Sequence, residues 1–215
     1  RPPRPISNDF LKIQDEYLTE RNIERGITDV DTLTPVKSDS RLYIWQGDIT
    51  TLKCDAIVNA CNSQMLGCFS PMHACIDNFI HTYAGVELRL KMHEIMAKQG
   101  HEEETGRAKI TSGYNLPAKY ILHTVGPIIQ WKVTKEDEAL LASCYTECLK
   151  LAADTGVESI TFCCLSTGVF RFPQQRAAEI ATNTVKQYLN EDSRIKKVVF
   201  NVFKDEDLKI YNGLL

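Results

Sequence analysis

The sequence lacks the long apolar runs that membrane proteins require. No uninterrupted apolar stretch reaches the roughly 20 residues that a transmembrane helix needs. The first residues, which are rich in Arg and Pro, also lack the apolar core of a signal peptide. The first absence excludes a typical membrane span, and together the two lead us to expect a soluble protein of the cytoplasm.

A predominance of one charge and a pattern of paired cysteines are missing as well. The 25 Lys and Arg residues and the 28 Asp and Glu residues are dispersed, and they leave a net charge of −3. We therefore expect neither a nucleic-acid partner nor a membrane partner, whereas a discrete anionic ligand is compatible with this balance. The eight cysteines include the neighbours Cys163 and Cys164, and several others lie in apolar runs, so we expect reduced thiols.

Short β-rich runs alternate with helical patterns from about residue 41 onward. The predicted strands are 42–45, 56–59, 108–111, 120–124, 159–164 and 197–202, and the predicted helices are 76–99, 136–155, 174–190 and 205–212. This alternation predicts an α/β domain with a largely parallel sheet over residues 41–215. Residues 1–40, with one amphipathic stretch, predict an extension packed on that domain.

Ligands of open α/β sheets bind beyond the carboxyl ends of the strands, and several of these ends are polar here. Asp48 follows the first predicted strand, where it is either a turn or capping residue or an acceptor for a group such as an adenine amine. Asn59 and Asn62 flank the end of the second strand. They are either turn residues or amides that hold the hydroxyls of a ribose.

A polar, Gly-bearing loop separates a predicted buried strand from the helix that begins near residue 174. Its residues are Ser166, Thr167, Gly168, Val169 and Phe170. Backbone N–H groups before a helix N-terminus suit a phosphate or pyrophosphate, and Gly allows the backbone to approach a ligand closely. An ordinary strand-to-helix turn has a similar pattern, so the loop alone does not decide between the two.

The strongest single signal is a short run with two thiols and an imidazole. Cys68, His73 and Cys75 lie within eight positions, and this is a ligand set that zinc favours. Structural zinc normally takes four protein ligands, and only three are local here. The pattern therefore predicts an open, catalytic-type site with water or substrate in the fourth place. The alternative is two cysteines that act as small buried hydrophobes beside a surface histidine.

Three further titratable residues are candidates for a role in the chemistry. Asp77 stands at the start of a predicted helix, where it either favours the helix dipole or orients or deprotonates a water molecule. His81 lies one turn later, and we interpret it as a packing residue or a support for the ligands rather than as a ligand. His123, inside a strand pattern, is interpreted as a hydrogen-bonded core residue.

Five segments, taken in order, resemble the macrodomain family. They are 47–50, 55–62, 76–85, 123–127 and 166–170, and the resemblance extends from about residue 41 to the end of the chain. It implies a three-layer α-β-α sandwich around a mixed, largely parallel sheet, with ADP-ribose in a cleft at the strand ends. At its adenine end, Asp48 and the amide of Ile49 would hold the base, with Phe203 packed nearby.

The resemblance also implies the rest of the ligand site. The diphosphate would lie in the 166–170 loop, and the distal ribose would face Asn59 and Asn62. Arg171 departs from the family pattern and is given no role.

A second departure is the loop that carries Cys68, His73 and Cys75, which resembles that of the zinc-dependent macrodomains. Relatives of that subgroup remove mono-ADP-ribose, notably from a lipoyl-carrier protein modified by a sirtuin. The resemblance implies a Zn²⁺ cofactor and a hydrolase that acts on modified acidic side chains, with Asp77 and Asn62 as catalytic residues. Alternatives are a reader that binds ADP-ribose without turnover and a hydrolase of small derivatives such as O-acetyl-ADP-ribose.

Overall fold

A computed structural model describes residues 3–70 and 72–215. Strands and helices alternate along most of the chain, as the sequence predicts. In order, the elements are α1 (Asn8–Glu24), β1 (Thr28–Asp29), β2 (Leu42–Gln46), β3 (Leu52–Lys53), β4 (Ala56–Ala60), α2 (Ile76–Ala84), α3 (Val86–Gln99), β5 (Ala108–Ser112), β6 (Tyr120–Thr124), α4 (Lys135–Asp154), β7 (Ser159–Phe162), α5 (Gln174–Glu191), β8 (Lys197–Val202) and α6 (Asp205–Leu214).

A six-stranded mixed sheet forms the centre of the protein, with strand order β2-β8-β7-β4-β6-β5. Every neighbouring pair is parallel except β5 and β6, which run antiparallel. The near-continuous burial of β4, β7 and β8 is typical of strands covered on both faces, and helices flank the sheet. The predicted α/β class with a mixed, largely parallel sheet is confirmed.

The sheet register brings two of the polar candidates together. Asn59 of β4 pairs with His123 of β6, near the carboxyl ends of both strands. Helix α2 packs against β4 and delivers its first turn to the same end of the sheet. Residues from three separate segments therefore meet at one place.

Two predicted elements end earlier than the sequence pattern indicated. The helical pattern over 76–99 is two helices, because Gly85 has a φ of +98° and breaks the chain between them. A side chain at this position would also meet Gln14, since a Cβ would lie 2.9 Å from its Oε1 atom. The predicted strand 159–164 ends at Phe162. Cys163 and Cys164 already belong to the turn that follows.

The N-terminal extension is tied to the domain through polar side chains of α1. Gln14 Oε1 accepts a 2.9 Å hydrogen bond from the backbone N–H of Val86 and so caps α3. Asn22 Nδ2 donates to the carbonyl oxygens of Tyr83 and Asn115, at 3.3 and 2.7 Å. Further along, β1 pairs in parallel with β3. Among the described residues, no helix has both the length and the apolar character needed to cross a membrane.

Candidate active site

A chain of buried polar groups runs from the sheet into the first turn of α2. Asn59 Nδ2 donates to Asp77 Oδ1 at 2.8 Å and lies 3.2 Å from His123 Nδ1. An amide donor must meet an unprotonated ring nitrogen, so the proton of His123 resides on Nε2, which donates to Thr111 Oγ1 at 2.9 Å. His123 is thus the hydrogen-bonded core residue that its strand pattern predicts.

Burial strongly changes the protonation of these groups. It raises the pKa of Asp77 to about 6, although the hydrogen bond from Asn59 opposes the shift. It lowers the pKa of His123 to about 3 and that of His81 to about 4. His81 is therefore neutral at pH 7, and its Nε2 atom, 3.6 Å from Asp77 Oδ1, makes a polar contact rather than an ion pair. A nearly buried carboxylate with a pKa close to neutrality is suited to proton transfer.

Cys68, His73 and Cys75 converge on one point. Their ligand atoms all lie within 4.8 Å of one another, and Cys68 Sγ is 3.5 Å from His73 Nδ1. Burial raises the pKa of Cys75 to about 11, and the charge of Asp77 adds to this shift. Asp77 is therefore electrostatically coupled to a member of the cluster. His81 does not belong to the cluster, in agreement with its interpretation as a supporting residue.

The chemistry and spacing of the three side chains fit a zinc ion. With Zn–S and Zn–N bonds of about 2.3 and 2.0 Å, tetrahedral ligands lie about 3.5–3.8 Å apart, which the 3.5 Å between Cys68 Sγ and His73 Nδ1 matches. Two thiols and one imidazole leave one of the four positions of a tetrahedral ion open. Three side chains, Cys68, His73 and Cys75, would hold the metal.

The 68–75 loop is braced from both sides. Asn78, in the first turn of α2, donates through Nδ2 to the carbonyl oxygens of Ser70 and His73, at 3.2 and 2.9 Å. On the other side, Asn62 Nδ2 donates to the carbonyl of Gly67 at 3.0 Å, and its Oδ1 accepts from the N–H of Gln64 at 3.1 Å. Asn62 thus shapes the turn that leads into the loop while remaining partly exposed.

The 166–170 loop has a strained backbone and an unused polar atom. Ser166 has a φ of +63°, a left-handed conformation that is uncommon for a residue with a side chain. Its Oγ atom is buried and has no hydrogen-bond partner among the described residues. This atom occupies the space beside Gly126, where an added Cβ would lie 2.0 Å away. Backbone strain and an unsatisfied hydroxyl at the base of a loop with an exposed tip are typical of a ligand site.

The remaining predicted ligand residues surround the end of the sheet. Asp48 caps a short 3₁₀ helix, since its Oδ1 accepts from the N–H of Thr50 at 2.9 Å, and its side chain is 33% exposed. Ile49 is buried, so only its backbone is suited to contact a ligand. Phe203 follows β8 with 76% of its surface exposed, and Val169 is similarly open at the tip of the 166–170 loop.

One predicted contact requires correction. Asn59 is fully buried, so its side chain has no surface with which to face a ribose, and it holds Asp77 instead.

Two residues at the site have no sequence signal that would single them out. Thr111 ends the buried chain on β5, and Arg25, from the extension, contacts the carboxylate of Asp48.

A profile of the Macro domain family matches residues 58–181, which include the last part of β4, the 68–75 loop and the 166–170 loop. The chain belongs to the macrodomain family. The protein-ADP-ribose hydrolase of Treponema medium is 57% identical, over all of this chain and 83% of the relative. The protein-ADP-ribose hydrolase of a Staphylococcus aureus strain is 56% identical, over 98% of this chain and 79% of the relative.

Solved structures support the same conclusion. The Trypanosoma brucei macrodomain in complex with ADP-ribose superposes with a TM-score of 0.79 at 29% identity, covering 99% of this chain and 92% of its own. The Oceanobacillus iheyensis macrodomain with MES bound has a TM-score of 0.71 at 40% identity, and the match covers 80% and 88% of the two chains.

Proposed function

We propose that this macrodomain is a zinc-dependent hydrolase that removes mono-ADP-ribose from acidic side chains of modified proteins. The observation that carries the proposal is the buried Asp77, held by Asn59, two residues after a Cys-His-Cys cluster of zinc-compatible geometry. The protein-ADP-ribose hydrolases that are 56–57% identical to the chain support the substrate class.

The ligand would extend along the carboxyl ends of the strands. The carboxylate of Asp48 would accept a hydrogen bond from the adenine amine, and the backbone N–H of Ile49 would donate one to the base. The adenine ring would pack against the exposed ring of Phe203. The diphosphate would lie along the 166–170 loop, where the backbone N–H groups of the exposed Gly168 and Val169 suit an anion. Asn62 would contact the distal ribose, since it is partly exposed and fixed by its hydrogen bond to Gly67.

The reaction would break the bond between C1″ of the distal ribose and the carboxyl oxygen of the acceptor side chain. Water would supply the hydroxyl that bonds to C1″, the acceptor side chain would leave as a carboxylate, and the remaining proton would pass through Asp77 to solvent. Asp77 would orient this water and accept its proton, a role that suits a carboxylate whose pKa burial raises to about 6. Asn59 would hold the carboxylate in place, and Asn62 would fix the sugar.

Cys68, His73 and Cys75 would hold the metal beside this carboxylate. When bound, zinc would supply Lewis-acid chemistry at neutral pH. The donor set favours this role over a structural one, because it offers three protein ligands rather than the four of a closed site.

We propose a lipoyl-carrier protein modified by a sirtuin as the substrate. This choice rests on the resemblance of the 68–75 loop to that of the zinc-dependent subgroup. The test compares ADP-ribose release from such a carrier with release from an unrelated protein modified on Asp and Glu. Equal rates would remove the carrier preference while leaving the hydrolase intact.

The linkage is tested with proteins that carry ADP-ribose on acidic, serine or arginine side chains. We expect release from the acidic linkage only, measured by chromatography of free ADP-ribose. Tight binding of ADP-ribose with no release from any linkage would make the protein a reader. Faster turnover of O-acetyl-ADP-ribose than of any modified protein would make small molecules its substrates.

A further inference from the structure

Arg25, at the end of helix α1, contacts Asp48, beside which the proposed function places the adenine base. Its Nη2 donates to Asp48 Oδ2, 23 positions later in the chain, and to Thr50 Oγ1 at 2.9 Å. Only 16% of the Arg25 side chain is exposed, so the ion pair is shielded on the arginine side. An N-terminal extension that merely covered the surface would not require this contact.

We propose that Arg25 is a positioning residue for recognition of the adenine base, and that it couples the N-terminal extension to the nucleotide end of the cleft. This inference rests on the proposed function, in which Asp48 accepts a hydrogen bond from the adenine amine. It adds a residue outside the stretch matched by the family profile, which begins at residue 58.

The hydrogen bonds at Asp48 fix the orientation of its carboxylate. Oδ1 accepts from the N–H and the hydroxyl of Thr50, at 2.9 and 2.6 Å, and Oδ2 accepts from Arg25. Rotation of the carboxylate would break contacts on both oxygens at once. Because each carboxylate oxygen can accept more than one hydrogen bond, Oδ2 keeps capacity for a ligand donor. The side chain is one-third exposed, which leaves it accessible.

Arg25 is itself held rigidly. Its guanidinium lies over the ring of Tyr83, 3.5 Å from the ring centroid, and its Nη1 donates to Asn22 Oδ1 at 3.1 Å. Asn22 is buried and donates in turn to the carbonyl oxygen of Tyr83. Because the guanidinium is stacked and hydrogen-bonded, it fixes the Asp48 carboxylate relative to helix α1. A solvated arginine would leave that carboxylate free to move.

The experiment measures dissociation constants for ADP-ribose and for its inosine analogue, in which a carbonyl replaces the adenine amine. The wild-type protein should prefer ADP-ribose, because a carboxylate accepts from an amine and repels a carbonyl oxygen. In Arg25→Gln, the affinity for ADP-ribose should fall about tenfold and the preference between the two ligands should shrink by a similar factor. Arg25→Lys should keep only part of the affinity for ADP-ribose and part of the preference, since lysine retains the charge but lacks the planar guanidinium group.

The matched control is Arg21→Gln, one turn earlier on α1, whose side chain is 50% exposed and pairs with Glu24. It should leave both affinities unchanged. A second comparison combines Arg25→Gln with Asp48→Asn, and the double variant should lose little more than Asp48→Asn alone.

The preference ratio separates the outcomes. A lower melting temperature in both Arg25 variants with an unchanged ratio would overturn the inference, because Arg25 would then only stabilise the fold. A wild-type protein that binds neither nucleotide would instead contradict the proposed function. A wild-type protein that binds both nucleotides equally would remove the role of Asp48 in base recognition, and with it that of Arg25.

Discussion

Asn59 donates a 2.8 Å hydrogen bond to Asp77 inside the protein, although one residue lies near the end of a central strand and the other in the first turn of a helix. The contact fixes a carboxylate where strand, helix and the 68–75 loop meet. Burial raises the pKa of Asp77 to about 6, and the hydrogen bond from the Asn59 amide limits that rise because it stabilises the charged carboxylate. The account of catalysis depends on this pair.

Replacing Asp77 with Asn should abolish most of the turnover while preserving the pocket. The amide keeps the shape of the side chain but cannot accept a proton, so we expect kcat to fall about 10²–10⁴-fold. The dissociation constant for ADP-ribose and the zinc content should stay near the wild-type values. The control is Asp9→Asn, because Asp9 is exposed and occupies the same position in the first turn of α1. Near-normal turnover in Asp77→Asn would reduce Asp77 to a residue that favours the helix dipole.

Replacing Cys75 with Ala should remove the metal. Two side chains hold zinc far more weakly than three, so we expect the zinc content to fall from about one ion per chain to about a tenth or less. Atomic emission spectroscopy of the dialysed protein measures this content. Cys164→Ala is the control, since Cys164 lies against the carbonyl of Asn201 and outside the cluster. Full metal content together with full turnover in Cys75→Ala would exclude the cluster as the zinc site.

His123 should remain neutral well below the pH at which a free histidine gains its proton. Burial lowers its pKa from 6.5 to about 3, so below pH 6.5 only the unfolded chain binds the proton. Above pH 6.5 this residue therefore contributes no pH dependence to stability. As the pH falls from 6.5 to 3, it lowers the free energy of unfolding by about 1.4 kcal/mol per pH unit. Nitrogen NMR of the ring should show a proton on Nε2 alone at pH 5. A titration midpoint near 6.5 would contradict this arrangement.

Replacing Gly126 with Ala should disturb the 166–170 loop, because the added Cβ would lie 2.0 Å from the buried hydroxyl of Ser166. We expect a loss of about 1–3 kcal/mol in the free energy of unfolding and at least about a tenfold weaker affinity for ADP-ribose. Gly168→Ala is the steric control, since its Cβ would meet nothing within 4 Å. It should change the unfolding free energy by less than about 0.5 kcal/mol. Calorimetry and ligand titration of Gly126→Ala that match the wild type would contradict the role of this packing.

The hydrophobic pattern was sufficient to predict the α/β class and all six strands of the main sheet. It did not separate α2 from α3, because the helical spacing of apolar residues continues on both sides of Gly85. The break depends on a backbone conformation and on the side chain of Gln14, which is distant in sequence. Local periodicity carries no information on such a contact.

The candidate site divides in the same way. Cys68, His73 and Cys75 were predictable because one loop holds all three, and the structure brings their ligand atoms together. The burial of Asn59 and the contact of Arg25 with Asp48 were not predictable from the sequence. An Asn near the end of a strand and an Arg at the end of a helix both have ordinary local explanations. Tertiary packing alone decides their partners.

The most direct test of the account is release of ADP-ribose from a protein modified on acidic side chains, with and without a strong zinc chelator. We predict release by the untreated protein, its loss on chelation, and its recovery when Zn²⁺ is added back. Tight binding of ADP-ribose without release, unchanged by the chelator, would contradict the account and leave the Cys68, His73 and Cys75 cluster as scaffolding for a reader.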